Sequence, residues 1–407
     1  MRSMTWKKRL VIPGMIVAIA QAGIAFADAP APKWYDTIGM SGYLQTSYVG
    51  NLENSETNKN NVGRQFDGVA NSGATNSGNS FSLNRFLLQI AKPVGDSDHY
   101  GFTVRLAAGQ DASSLPSGTN SFAVQEAYMT YAATSKLSVI GGRFVTPEGF
   151  EGVDTVNNPN FSEGLLFTVM EPISHTGIKA NYVFSDKVNA TIGLVNGWNS
   201  DQDNNSQKTI LWQIATTPTK QISWSFQGLY GNEVTQPVVG LPAGDHADTL
   251  SLDTVLGFNP TDKLSLNAQL NWRETSNDPT VVNADGGTTV GTTHASGAGI
   301  WASYATTSKF TETVRYEIVS DENGANVFPN GTGIAFPHLL TPGTATNQTV
   351  QEFTLTHKTM LTSNMGTRLE YRHDWSNEPT FVRSGSTFAN SAVRNQNTIS
   401  ADWFVTF

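Results

Sequence analysis

The chain contains no cysteine, so neither a disulfide framework nor a cysteine-based metal site is open to it. Beyond its first residues it has no apolar run long enough to cross a bilayer as a helix. Basic residues are in the minority, 25 Lys and Arg against 34 Asp and Glu, which argues against nucleic acid as a partner. No Walker-type or dinucleotide-type glycine pattern occurs; Gly141-Gly142 and Gly286-Gly287 read as strand or turn features. What the chain does have is glycine, 37 residues, with Asn, Ser and Thr prominent, a composition suited to strands and loops.

The one apolar run stands at the start. Arg2, Lys7, Lys8 and Arg9 precede Leu10 to Ile19, and Ala25-Phe26-Ala27 precedes Asp28. A charged start, an apolar middle and a small-x-small end predict a secretory signal peptide over 1–27. Pro13 and Gln21 interrupt the run and no second span follows, which disfavours a retained helix. Cleavage removes four basic residues and no acidic ones, leaving 21 against 34, a net charge of −13.

Residues 28–407 read as one all-β domain. Taken back from the terminus in steps of two, Phe407, Val405, Trp403, Ala401 and Ile399 are apolar, while Thr406, Asp402 and Ser400 between them are polar; Phe404 alone breaks the rule. An open edge so apolar invites pairing with other chains. A closed barrel in lipid removes that difficulty, with the oily face on hydrocarbon and the polar face on water. The same alternation recurs in Tyr100 to Ala108, in Leu264 to Arg273 and in Arg368 to Asp374, where it puts the charged residues inside. A charge on the lipid face would cost roughly 2–4 kcal/mol near mid-membrane. The phase is ambiguous from Leu137 to Arg143.

Seven short turns punctuate the pattern: Pro93 to Asp98, Thr134 to Lys136, Ser185 to Lys187, Thr217 to Gln221, Asn259 to Lys263, Thr306 to Lys309 and Thr362 to Asn364. Long polar segments alternate with them: Asn51 to Ser80, Val234 to His246, Ser276 to His294, Asp321 to Asn347 and Ser376 to Asn395. With a first strand over Ile38 to Val49 and the terminal one, the expectation is a transmembrane antiparallel up-and-down β-barrel of about sixteen strands, short turns periplasmic. Ile334 to Leu340 fits either strand or loop. Trp198, Trp212, Trp224, Trp272, Trp375 and Trp403 suit an interfacial belt, ordinary packing accounting for some of them equally well. The outward residues Ile399, Trp403, Val405 and Phe407 mark the last strand as the one for lipid and the outer-membrane assembly machinery to meet.

One connection breaks the repeat. Residues 146–176 are too many for a simple loop and include the apolar piece Leu165 to Met170, which as a membrane strand would make the count odd. The segment is therefore expected to fold back into the barrel as a constriction loop. It carries Glu148, Glu151, Asp154, Glu163 and Glu171 and no Lys or Arg. Set across from basic wall residues Arg85, Arg105, Lys179, Arg273, Arg315, Arg368 and Arg372, it would create a transverse field that sorts solutes by charge and size. Any one of those wall charges is equally well an ordinary solvated or paired residue of a wet lumen.

The run Gly142 to Glu151, then Asn157-Asn158-Pro159-Asn160-Phe161-Ser162, Glu171-Pro172, His175-Thr176-Gly177 and Val195-Asn196-Gly197-Trp198, resembles the OmpL-like β-barrel porins. The resemblance implies an outer-membrane channel without implying its solute. Where such a porin often has an uncharged residue after the proline, this chain has Glu148, which would make the narrowing more acidic.

No metal or cofactor is expected: the calcium-loop spacing is absent around Glu148, Glu151 and Asp154, and the Asp201 to Asn205 cluster reads as loop chemistry. His175 is expected at the base of the long connection, and His175, His357 and His373 lack a nucleophile in any recognisable pattern. The reading is thus a passive porin for small hydrophilic solutes or ions, leaning to cations by acid count, with a homotrimer fitting by analogy. The rivals are a plugged barrel that binds or adheres through its outer loops, and an outer-membrane enzyme, the last marked by a His within reach of Ser or carboxylate at the outer rim.

Overall fold

Sixteen antiparallel strands close on themselves, each paired with its chain neighbours and the last with the first. A computed structural model describes residues 34–52, 79–95, 98–118, 121–203, 205, 207–233, 248–282, 288–322, 348–377, 381–382 and 392–407. The expected signal peptide, residues 1–27, and Ile334 to Leu340 lie outside the described residues, as do most of the segments Asn51 to Ser80, Val234 to His246 and Asp321 to Asn347.

The first half of the wall is β1 (Gly39–Asn51), β2 (Asn79–Lys92), β3 (Tyr100–Ala108), β4 (Phe122–Ala132), β5 (Leu137–Val145), β6 (Ser174–Ser185), β7 (Val188–Val195) and β8 (Thr209–Thr216). Then follow β9 (Ile222–Asn232), β10 (Asp248–Phe258), β11 (Leu264–Val282), β12 (Thr288–Ala305), β13 (Phe310–Glu322), β14 (Gln348–Met360) and β15 (Met365–Ser376). A two-stranded ribbon, β16 (Phe381–Val382) and β17 (Ala392–Val393), stands apart before β18 (Asn395–Thr406) closes the ring. The closing seam runs in register from Tyr43 opposite Thr406 to Asn51 opposite Thr398.

The seven short turns fall where the sequence puts them, and five share one device. Thr134, Thr219, Thr261, Thr307 and Thr362 each accept, on the side-chain oxygen, the backbone N–H groups two and three residues on. A hydroxyl bonding its own turn fixes the reversal locally, before any long-range pairing exists.

The two faces differ as the alternation requires. Leu270, Ile300 and Leu369 are 57–60% exposed on the outside, an apolar surface that suits hydrocarbon rather than water. Trp403, Ile399 and Phe407 share that face, whereas Phe404 points inward and is buried. In the ambiguous stretch, Ile140 pairs with Thr130 and with Lys179 and so shares their lumen face.

Three expectations are corrected. Ser276 to His294, expected as a loop, carries strand: β11 and β12 continue past the rim to Val282 and from Thr288. Ser376 to Asn395 includes the β16–β17 ribbon. Trp198 is not part of an outer belt but is buried, with the Arg273 guanidinium 4.8 Å from its ring centre. The long connection also ends sooner than expected, because Ser174 already pairs with Val145.

Candidate functional site

The stretch between β5 and β6 is the only long connection described from end to end. Its base is tied by the Thr146 N–H donating to the Ile173 carbonyl at 3.1 Å, beside His175, whose ring meets the Gly197 carbonyl at 3.0 Å and the Thr146 hydroxyl at 3.3 Å. Its apolar piece forms one wide helical turn, Leu166–Met170, not a strand. Leu165, Leu166, Val169 and Met170 are buried against Phe150, Ala295, Trp301 and Val319. The backbone of β12 makes room for them: a Cβ on Gly297 would stand 2.3 Å from Leu166.

From there the polar atoms of the segment meet lumen-facing side chains of many strands. Arg315 on β13 donates to the Glu151 carboxylate and the Ser162 carbonyl, each at 2.6 Å, and pairs with Glu352 on β14 at 2.5 Å. Arg368 on β15 pairs with Asp402 at 2.7 Å and donates to the carbonyls of Thr155, Asn158 and Asn160 at 2.8–2.9 Å. Arg372 pairs with Asp374 and donates to the Glu163 carbonyl at 2.6 Å. Glu370 accepts from the N–H groups of Phe161 and Ser162.

Further round the wall, Asp154 pairs with Arg105 on β3 and accepts from Gln125 on β4 and Tyr43 on β1, while Arg85 on β2 donates to the Val153 carbonyl. Toward β10 and β11, Gly149 donates to Asp253, Ser251 to Glu148, and Gln269 to Glu171. The Lys179 ammonium lies 4.1 Å from the Phe144 ring centre, and the Arg273 guanidinium lies over the Trp198 ring.

This arrangement corrects the expected field. Two of the five acids, Glu151 and Asp154, are in direct contact with wall arginines rather than opposed to them across a gap. The other three are buried. Burial pushes the Glu163 carboxyl well above the usual range, the Glu151 charge adds to the rise, and both its oxygens lack a hydrogen-bond partner among the described residues. Glu148 and Glu171 rise for the same first reason, each raised further by Asp253. Burial alone would raise Asp154 too, but Arg105 and Arg85 outweigh it and hold that carboxyl below the usual range.

The linkage gives a pH dependence with a definite sign. The three raised glutamates bind their protons more tightly in the packed segment than in water. Their contribution is whole below the ordinary glutamate range and is lost as pH rises toward the raised values. Asp154 contributes above the ordinary aspartate range and loses its contribution as pH falls through the lowered value. Amide exchange across residues 150–170, corrected for its intrinsic pH dependence, is therefore expected to quicken from mildly acid to alkaline pH. Glu163→Gln should flatten the rise; a profile that is level in the parent chain would contradict it.

Two His–carboxylate pairs bear on the enzymatic rival. His294 and Glu274 are 3.3 Å apart toward the long-loop end of β11 and β12, with no hydroxyl bonded to either among the described residues. His357 meets Glu312 at 2.7 Å and the Thr359 hydroxyl at 3.0 Å, but toward the short-turn end.

Similar folds are known among solved structures. The outer membrane channel DcaP of Acinetobacter baumannii matches 91% of this chain and 97% of its own at 13% identity, with a TM-score of 0.61. The anion-selective porin from Comamonas acidovorans matches 91% and 99% at 11% identity and 0.56. The trimer form of OmpT from Vibrio cholerae matches 91% and 99% at 11% identity and 0.53. Identities so low speak for fold alone. No curated protein matches the chain. The model of the beta-barrel porin-2, OmpL-like family, however, matches residues 37–407, the entire barrel and all of the segment just described, and the chain belongs to that family of β-barrel porins.

Proposed function

We infer that the chain is an outer-membrane porin: a passive, water-filled passage for small hydrophilic solutes or ions, narrowed where residues 146–176 cross the lumen. The observation that carries this reading is an asymmetry of exposure. Arg315, Arg368, Glu352 and Asp402, on the wall bonded to the segment, are almost wholly inaccessible, whereas lumen-facing Thr130, Lys179, Thr191 and Ser225, toward the short-turn ends of β4, β6, β7 and β9, keep access to water. That contrast supports a passage displaced toward β4–β9.

The cation lean drawn from the acid count has no support in these pairings, since the segment's acids are paired with arginine or buried away from the passage. A homotrimer fits the barrel, one of the similar structures being a trimer form. The outward Ile399, Trp403, Val405 and Phe407 suit lipid and recognition by the assembly machinery.

Reconstitution of the purified chain into planar bilayers tests the reading. Discrete, ohmic conductance steps are expected. Their absence would favour the second reading, a plugged barrel acting through its outer loops, for which the sealed arginine wall speaks.

A further inference from the structure

The lumen-facing carboxylates Glu126, Asp253, Glu317, Glu352, Glu370, Asp374 and Asp402 are all buried, Glu126 being bonded to Arg105. Each already bonds a wall arginine, an amide, a hydroxyl or a backbone N–H of the inner segment. Asp321 is half-buried, but it stands at the far, long-loop end of β13. Two lysines are left in the opposite condition. Lys179 on β6 and Lys358 on β14 face the lumen half-buried, and neither ammonium has a hydrogen bond or ion pair among the described residues. Each ammonium lies over an aromatic ring, Phe144 at 4.1 Å and Phe404 at 5.2 Å, an arrangement that steadies the charge without neutralising it.

Their placement in the ring is opposed. Counting around the closed order of sixteen strands, β6 and β14 are eight apart, on facing walls. Lys358 sits two residues inside the short-turn end of β14 and Lys179 six inside that of β6, so a solute moving along the axis meets them in succession. Low-dielectric walls strengthen the field of a charge in a narrow aqueous passage, and a lysine is a compact point charge suited to brief contacts with hydrated ions.

We propose that Lys179 and Lys358 form two staggered anion-attracting stations, so that the passage prefers small hydrated anions to cations although the protein as a whole is acidic. The proposal rests on the passage reading above. It makes the two lysines selectivity-determining residues, and it takes its sign from charges that remain unpaired rather than from the total.

The test is the reversal potential of the reconstituted full chain in a potassium chloride gradient. The parent channel is expected to reverse on the chloride side. Lys179→Gln and Lys358→Gln should each lower the chloride-to-potassium permeability ratio about tenfold, since one unit charge about 6 Å away in water shifts the two ions about threefold each in opposite directions. Lys179→Glu should lower it further, and Lys179→Arg should retain the parent ratio. Correct folding of each variant is read from its heat-dependent gel migration. Open channels that reverse on the potassium side, or whose ratio is unmoved by both Gln variants, would overturn the proposal and leave the passage standing. Folded protein without discrete conductance would overturn both.

Discussion

With Arg315 replaced by methionine, the barrel is expected to stay closed while the segment inside it comes loose. The guanidinium joins Glu151 and Ser162 of the segment to Glu352 of the wall, all of them buried. Removing one partner of a buried charge pair costs about 3–5 kcal/mol, because the groups left behind remain desolvated. That is large beside the docking of one segment and small beside a closed ladder of sixteen strands. Limited proteolysis between residues 150 and 170, in detergent, should turn from slow to fast, and channel records should become noisier. Arg315→Lys should fare little better, since a point charge cannot bridge three acceptors as a planar fork does. An unaltered cleavage pattern in the methionine variant would mean that the segment is held elsewhere.

Excising residues 150–170 is expected to raise single-channel conductance several-fold. The cut is feasible because Val145 and Ser174 are already cross-strand partners, with Thr146 bonded to Ile173 just beyond them. The seven residues left between them, 146–149 and 171–173, then close the hairpin without a linker. The wall that carries Arg85, Arg315, Arg368 and Arg372 would turn from a packed interior to a wet surface, widening the passage from one side of the cylinder to its full section. Equal conductance before and after excision would show that the narrowing lies at another level, and a channel gained only after excision would favour the plugged barrel.

The strands and turns were legible because each is specified by its own residues. Leu264 to Arg273 alternates whether or not its neighbours are known, and Thr261 closes its turn through bonds two and three residues away. The pairing of charges was not legible in the same way. Glu151 and Arg315 are 164 residues apart in the chain, and nothing local tells an arginine facing open water from one that anchors a loop. The extended β11–β12 hairpin escaped because Ser276 to His294 lies past the membrane, where no oily face is required and the alternation lapses. One missed signal was available: Gly297 and Gly299 stand two apart on the lumen face of β12, the mark of a close backbone approach. Leu166 is what approaches.

Strand β11 has 19 residues and β12 has 18. At about 3.3 Å per residue and a tilt near 40°, such a pair reaches on the order of 45 Å along the barrel axis, against an apolar band of about 25 Å. The surplus stands beyond the lipid as a backbone-paired stalk. A stalk of that kind lifts its paired backbone well clear of the rim on the side opposite the short turns, so a molecule that meets it there need not pass through the channel mouth.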